Sequence, residues 1–430
     1  MLIAKSIFPG VNLTCIQTDK FKTGCLAIYL ISGLHQKTAS SSALLTQVLR
    51  RGSLNHPDME RIASALDDMY DARIEPVARK KGELHCIGFY ADFPDERFIP
   101  GAKSVLERTA SITGEMLLSP AMQDDFLRAD YINSEKKNLI DEIRAAINDK
   151  HTYATERLIQ EMCAGESFSV NRLGSENEAL IITPQSLTAH YRQQISQPPV
   201  ELMYCGSAEP ERVEDALRAA LQGLPERKDI KIPETEIIAY PPSGSPKTVV
   251  EKLDVQQGKL CAGFRLGESI KNDPDYPALM VFNAIYGSGV TSKLFLNIRE
   301  KLALCYYASS IIDKHKGIMI VSSGIDSSNF ETALDRTLAE LENVKSGDIS
   351  EWELLSAKSS VITSIKAALD RQSGLLELYF DSAVSAKPYD PEKLCDMVDA
   401  VTKERIVKTA GEINMDTVYF LTGEAGEDET

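Results

Sequence analysis

The sequence predicts an α+β protein made of two similarly built domains, and three observations carry that expectation. Short β-branched and aromatic runs come in adjacent, hairpin-like pairs between longer stretches of helical spacing, unlike the strict alternation of a parallel α/β sheet. A stretch rich in proline, glycine and serine interrupts the chain near its middle. The order of elements before it then recurs after it. The 430 residues also exceed what one ordinary core holds.

In the first half, an extended run at 24–32 (GCLAIYLIS) predicts a strand, and 40–51 (SSSALLTQVLRR) a helix followed by Gly52. Pro57 suits the first turn of a helix that reaches Met69. Strands follow at 73–78 and 83–92, then a helix toward Met116 after Pro94 and Pro100, and a long polar-faced helical stretch at 122–148. The second half repeats this order with a strand at 259–266 (KLCAGFRL), an apolar helix at 276–286 after the turn Asn272-Asp273-Pro274-Asp275, and a helix at 290–301. Strands at 305–312 and 317–323 come next. A helix at 329–344 has Phe330, Leu334, Leu338 and Leu341 at core spacing, and a helix at 349–371 lines Leu354, Ala357, Val361 and Ile365 along one face. Pro225, Pro233 and the run 240–246 (YPPSGSP) are linker chemistry. The expected domains are therefore 1–224 and 247–430 around a linker at 225–246, with a frayed acidic tail at 423–430.

Composition is that of a soluble globular protein, 43% hydrophobic and 26% charged. A net charge of −16 argues against nucleic acid, which needs a basic surface, and leaves room for basic peptides or a less acidic protein partner. The eight cysteines are scattered without C-x-x-C spacing, mostly inside apolar runs, as suits free thiols in a reducing compartment. The N-terminus lacks a signal-peptide pattern, and no apolar run approaches the roughly 18 residues of a membrane span. A cytoplasmic protein without membrane attachment is expected.

The six histidines (35, 56, 85, 151, 190 and 315) include no pair at i, i+4, so no helix offers the two-imidazole face of a zinc site. His85 and Cys86 are neighbours in a predicted strand and point to opposite faces. Glu135 and Glu142 lie two turns apart on one predicted helix face, most simply as a solvated or salt-bridged surface. Glycine-rich phosphate loops are absent, and Ser134-Glu135-Lys136-Lys137 matches S-x-x-K without its companion motifs.

One stretch has more pattern than chance supplies: a small-residue turn at 287–289, then Ser292-Lys293-Leu294-Phe295, Ile298-Arg299-Glu300-Lys301 and Tyr306. It resembles the C-terminal signature of the insulinase/pitrilysin metallopeptidases, and the resemblance extends over nearly the whole chain. The family's fold is two homologous α/β-sandwich domains with mainly antiparallel sheets and helices on one face. Its active members carry H-x-x-E-H on the first motif helix, for zinc and a water-activating carboxylate. Aligned on Gly52, those five places hold Ala43, Leu44, Leu45, Thr46 and Gln47. Glu142 matches the third zinc ligand and Glu135 a carboxylate seven residues earlier. The resemblance implies that Arg299 and Tyr306 hold substrate and stabilise the tetrahedral intermediate, roles that a planar permanent cation and a neutral phenol suit.

The implied chain binds no cofactor or metal itself and resembles the zinc-less members of unequal bacterial pairs. Zinc is then expected on a homologous partner subunit that shares a peptide or protein substrate, with a homodimer possible when the chain is isolated. The alternative is a non-catalytic scaffold or peptide-binding pseudopeptidase, like the core subunits of the respiratory cytochrome bc complex, acting in a protein-modification or processing complex.

Overall fold

A computed structural model of the protein describes residues 1–227, 231–242, 244–271, 273–385 and 390–423. Parts of the expected linker (228–230 and Ser243), Asn272 of the expected turn and the tail from Glu424 lie outside the described residues. The first half contains β1 (Leu2–Phe8), β2 (Val11–Gln17), β3 (Thr23–Gly33), α1 (Gln36–Leu49), α2 (Met59–Asp67), β4 (Arg73–Lys81), β5 (Leu84–Pro94) and α3 (Val105–Leu118). It continues with β6 (Met122–Gln123), β7 (Phe126–Leu127), α4 (Ala129–Ala145), α5 (Lys150–Met162), α6 (Glu176–Leu180), α7 (Pro184–Ser196), β8 (Val200–Gly206) and α8 (Pro210–Ala220). The second half has β9 (Lys247–Lys252), β10 (Gly258–Arg265), α9 (Tyr276–Tyr286), β11 (Cys305–Asp313), β12 (Ile318–Ile325), α10 (Phe330–Lys345) and α11 (Glu351–Ala368). It ends with α12 (Gln372–Ser385), α13 (Pro391–Asp399), α14 (Lys403–Gly411) and β13 (Asn414–Thr422).

Three boundaries move for local reasons. The helix expected from Pro57 begins at Met59, because the Asp58 side chain accepts from the Arg61 amide and so caps it. The stretch 122–148 is not one helix: Asp124 and Asp125, at φ +50° and +64°, turn a short β6–β7 hairpin before α4 starts. The helix expected at 290–301 is π-helical from Leu294 to Lys301, with Ser292 Oγ accepting from the Phe295 amide at its start.

Both sheets are built on one plan. The first runs β4-β5-β3-β8-β2-β1 and the second β11-β12-β10-β13-β9. Each is antiparallel except for one parallel pair in the same place, β8 with β2 and β13 with β9. The internal repeat is thus visible strand by strand, with β4 and β11 as the corresponding edges.

The compact units exchange segments between the halves. One comprises Met1–Arg144, Val170–Glu234 and Ala368–Tyr389; the other comprises Ala145–Ser169, Thr235–Ala367 and Asp390–Thr430. In the first unit, α1, α3, α4, α7 and α8 bury residues such as Leu44, Ala110, Ile132, Leu187 and Leu217 against one sheet face. The other face, with Cys25, Tyr29, Cys86 and Met203, is closed by Leu375, Leu376 and Phe380 of α12. Glu377 of α12 pairs with Arg79 and Lys81, and Asp381 with Lys81 at 2.7 Å. In the second unit, α10 packs on one face, stacking Phe330 on Phe420 at 4.5 Å. The opposite face receives Ala154, Leu158 and Met162 of α5 against Cys261, Ile320 and Tyr419. Just past α5, Glu166 takes buried Arg265 at 2.6 Å and Lys316 at 2.6 Å, while Asp416 takes the Arg265 Nε at 2.8 Å. Each borrowed helix or its flank is tied down by ion pairs, half-buried at Glu377 and fully buried at Arg265 and Lys316, where losing one partner would strand a buried charge.

Candidate functional site

In the first unit, α1 faces the core along the degenerate motif. Ala43, Leu44, Leu45 and Thr46 are all buried, and Gln47 is half-buried. The Thr46 hydroxyl donates to the Ala43 carbonyl at 3.2 Å, satisfying itself within its own helix. Ala43 has no donor atom, and Glu142, the remaining ligand-type group, pairs with Arg172 at 3.3 Å. Arg172 also donates to the carbonyl of Ala78 on β4 at 3.4 Å. Glu135 is buried and held by Arg51 Nη1 and Asn138 Nδ2, each at 3.0 Å. Glu135 is engaged within the fold and Glu142 is an exposed, weakly paired carboxylate; with no imidazole beside them the donor set does not fit zinc. Among the described residues, no three His, Cys, Asp or Glu side chains gather as ligands.

The edge strand β4 is blunted as well. Pro76 supplies no N–H at its centre, and Lys80 reaches across to the Val170 carbonyl at 3.3 Å. A polar cluster lies beside α1 that sequence reasoning missed. Ser42, one residue before Ala43, hydrogen-bonds His190 Nε2 at 2.9 Å. His85, on β5, is close enough for His190's charge to act on it. Burial lowers both histidines to about 4, His85 also through His190, so both are neutral near pH 7. His85 Nε2 has no hydrogen-bond partner. The expectation that His85 and Cys86 diverge holds: Cys86 lies on the face under α12. Nothing in their spacing announces that His190 acts on His85, since 105 residues separate them.

The second unit arranges its candidates differently. The π-helical segment brings the Arg299 guanidinium over the Phe295 ring, 4.6 Å from its centroid. Its nearest carboxylate is the sequence neighbour Glu300, at 3.6 Å, and its side chain is 41% exposed. The chain leaves the segment through Ala303 at φ +49°, with the Leu304 amide donating to the Ile298 carbonyl at 3.1 Å. It then enters β11 through a bulge: Cys305 pairs with Ile325 and Tyr307 with Gly324, so Tyr306 is the extra residue. Tyr306 is 72% exposed. Tyr307, half-buried, is pinned from behind by His151 Nδ1 at 2.8 Å, their rings edge-to-face at 5.1 Å. Burial raises the Cys305 thiol to about 11, and the charge of Arg299 acts on it in the opposite sense. The π-turn and the bulge therefore present Arg299 and Tyr306 at the same end of β11. Two backbone irregularities, of kinds that recur at functional sites, aim them outward.

The family described as "Peptidase M16 inactive domain" matches residues 182–361. The chain is 33% identical over 98% of its length, and 98% of the other's, to the probable inactive metalloprotease YmfF of Bacillus subtilis. Its structure is similar to a conserved protein from Enterococcus faecalis V583, with TM-score 0.90, 27% identity and coverage of 99% and 100% of the two chains. It also shares its fold with the peptidase M16 inactive domain from Pseudomonas fluorescens, at TM-score 0.80, 15% identity and coverage of 99% and 98%.

Proposed function

The chain belongs to the M16, or insulinase/pitrilysin, metallopeptidase family as an inactive-type homologue, and from that premise we propose that it is the zinc-less subunit of a two-chain peptidase. In this reading a homologous partner carries H-x-x-E-H and its zinc, and this chain brings Arg299 and Tyr306 to the shared substrate. The nucleophile is the partner's to supply, as water made acidic enough to ionise near neutral pH. Arg299 holds a peptide carbonyl or carboxylate with a fork of donors that stays charged at any working pH. Tyr306 donates its phenolic proton to the oxygen that becomes anionic when the carbonyl turns tetrahedral. The observation that supports this most is the joint exposure of both residues at the π-turn and bulge, in a chain whose first-half carboxylates are already paired.

The second reading, a pseudopeptidase that acts as scaffold or peptide binder, is favoured by the closed state of α1 and the blunted β4. It needs no role for Arg299 or Tyr306. We place the protein in the cytoplasm, because seven of its cysteines are buried free thiols, and in a bacterium, from its likeness to the Bacillus subtilis relative. No described helix is long and apolar enough to cross a membrane.

Mixing the chain with an H-x-x-E-H homologue tests the pairing. The chain alone should hold no stoichiometric zinc and cleave no peptide, and chelator-sensitive proteolysis by the chain alone would refute this. In the pair, Arg299→Ala or Tyr306→Phe should cost roughly 10²-fold in turnover, as for a lost oxyanion donor. Unchanged turnover in both variants leaves the scaffold reading standing.

A further inference from the structure

Cys25 and Cys205 stand opposite one another on the neighbouring antiparallel strands β3 and β8. Their side chains share the sheet face that α12 covers. We propose that they form a redox-active thiol pair, which closes into an intramolecular disulfide when a peroxide reaches the rim of the sheet.

The register sets the two residues side by side. Ile31 donates its amide to the Pro199 carbonyl at 3.0 Å, so 31 and 199 are a hydrogen-bonded pair, and such pairs recur every second residue. Cys25 and Cys205 therefore occupy a hydrogen-bonded position, with Cα atoms about 5.5 Å apart, inside the range that disulfides span. The Cys25 thiol also lies 3.6 Å from the Cys205 carbonyl. The two thiols act on one another, which holds Cys205 toward the thiolate and pushes Cys25 well above the usual range. Cys86 and Cys261, each raised to about 12 by burial, are poor nucleophiles by comparison.

Both sulfurs are buried, but shallowly. Cys25 follows exposed Thr23 by two residues, and Cys205 is the penultimate residue of β8. Gln372, the first residue of α12, ties the helix to this end of the strands, donating to the carbonyls of Thr23 at 2.6 Å and Cys205 at 3.2 Å. Helix termini open at low free-energy cost, so fraying of that first turn admits a small oxidant.

The chemistry balances with hydrogen peroxide as oxidant. The Cys205 thiolate attacks the O–O bond, giving a sulfenic acid and hydroxide, which takes a proton to become water. Cys25 then attacks the sulfenic sulfur; the S–S bond forms and the hydroxyl leaves as a second water. Two electrons pass from the two sulfurs to the peroxide. At a hydrogen-bonded position the Cβ atoms lie toward the wide end of the about 4.5–5.5 Å of facing strand residues, well beyond the ~3.8 Å of a relaxed bridge. The bond must draw the strand ends together and is easily reduced, as befits a reversible modification rather than a structural staple.

Peroxide treatment of the reduced full-length chain, followed by intact-mass measurement, thiol counting and peptide mapping, tests this. The expected result is loss of two of the eight thiols, a mass lower by two hydrogens, and one cross-linked peptide joining Cys25 to Cys205, all reversed by dithiothreitol. Cys205→Ser should abolish the cross-link. A map in which Cys25 and Cys205 remain alkylatable while other thiols oxidise, or gain oxygen without joining, overturns the proposal. The wild-type map decides even if the variant fails to fold.

Discussion

The strand edges β4 and β11 occupy the same place in two sheets of one plan, yet the polar groups around them have opposite fates. Near β4, three of the polar groups that match the family's zinc motifs are engaged. Thr46 bonds its own helix, Glu135 holds Arg51, and Glu142 holds Arg172. Near β11, a π-turn and a bulge hold Arg299 and Tyr306 open to solvent. The two edges thus differ in whether the polar side chains beside them have been satisfied from within.

That contrast breaks most severely if the first site can be restored. Ala43→His, Thr46→Glu and Gln47→His together put polar or charged groups into a packed helix face. Buried polar groups without partners cost ~1–3 kcal/mol each, so denaturant unfolding should show a loss of several kcal/mol. A stable triple variant with stoichiometric zinc would contradict the closed state described for α1.

The next effect is a pH dependence confined to the first unit. His85 and His190 titrate near 4 in the fold and near 6.5 when unfolded. Between those values the unfolded chain binds more protons, so stability falls as pH drops from about 6.5 toward 4. The loss is on the order of 3 kcal/mol for each histidine. Replacing either with a neutral residue of similar size should flatten the slope in urea midpoints measured over that range. An unchanged slope would show that these imidazoles are not the cause.

A smaller effect sharpens the account of the second unit. His151→Phe removes the bond that pins Tyr307 behind the bulge and leaves Tyr306 itself intact. Turnover of the reconstituted pair should fall about tenfold, with Tm nearly unchanged, if the bulge must be held to aim Tyr306. Smallest of all, Arg172→Ala should cost less than about 1 kcal/mol, because its pairing with Glu142 is solvent-exposed.

Much of this architecture is legible in the residues. The β3 and β10 runs, the α9 span and the buried Ala357, Val361 and Ile365 of α11 come from periodicity alone, and the repeat in element order appears as matching strand orders. In α10 only Leu341 of the four expected core residues is buried, because the stripe runs through Ala333, Thr337 and Val344. The exchange of α5 and α12 does not, because an amphipathic helix does not record which sheet receives it. Residues 294–301 (LFLNIREK) read as an ordinary helix, and only the folded chain shows its π-turns. The bulge at Tyr306 likewise has no signature, since the strand alternation around it is normal. Motif resemblance named Arg299 and Tyr306; the backbone that aims them had to be seen. The Ser42–His190 contact joins positions 148 apart in sequence, beyond any local pattern.

The central claim is that Arg299 and Tyr306 work on a substrate in trans. Peptide turnover by the chain paired with a zinc-bearing homologue, measured for wild type and for the Arg299→Ala/Tyr306→Phe double variant at equal subunit association, tests it most directly. The account predicts at least a roughly 10²-fold loss of turnover in the double variant with association unchanged. Full turnover by the double variant would contradict it.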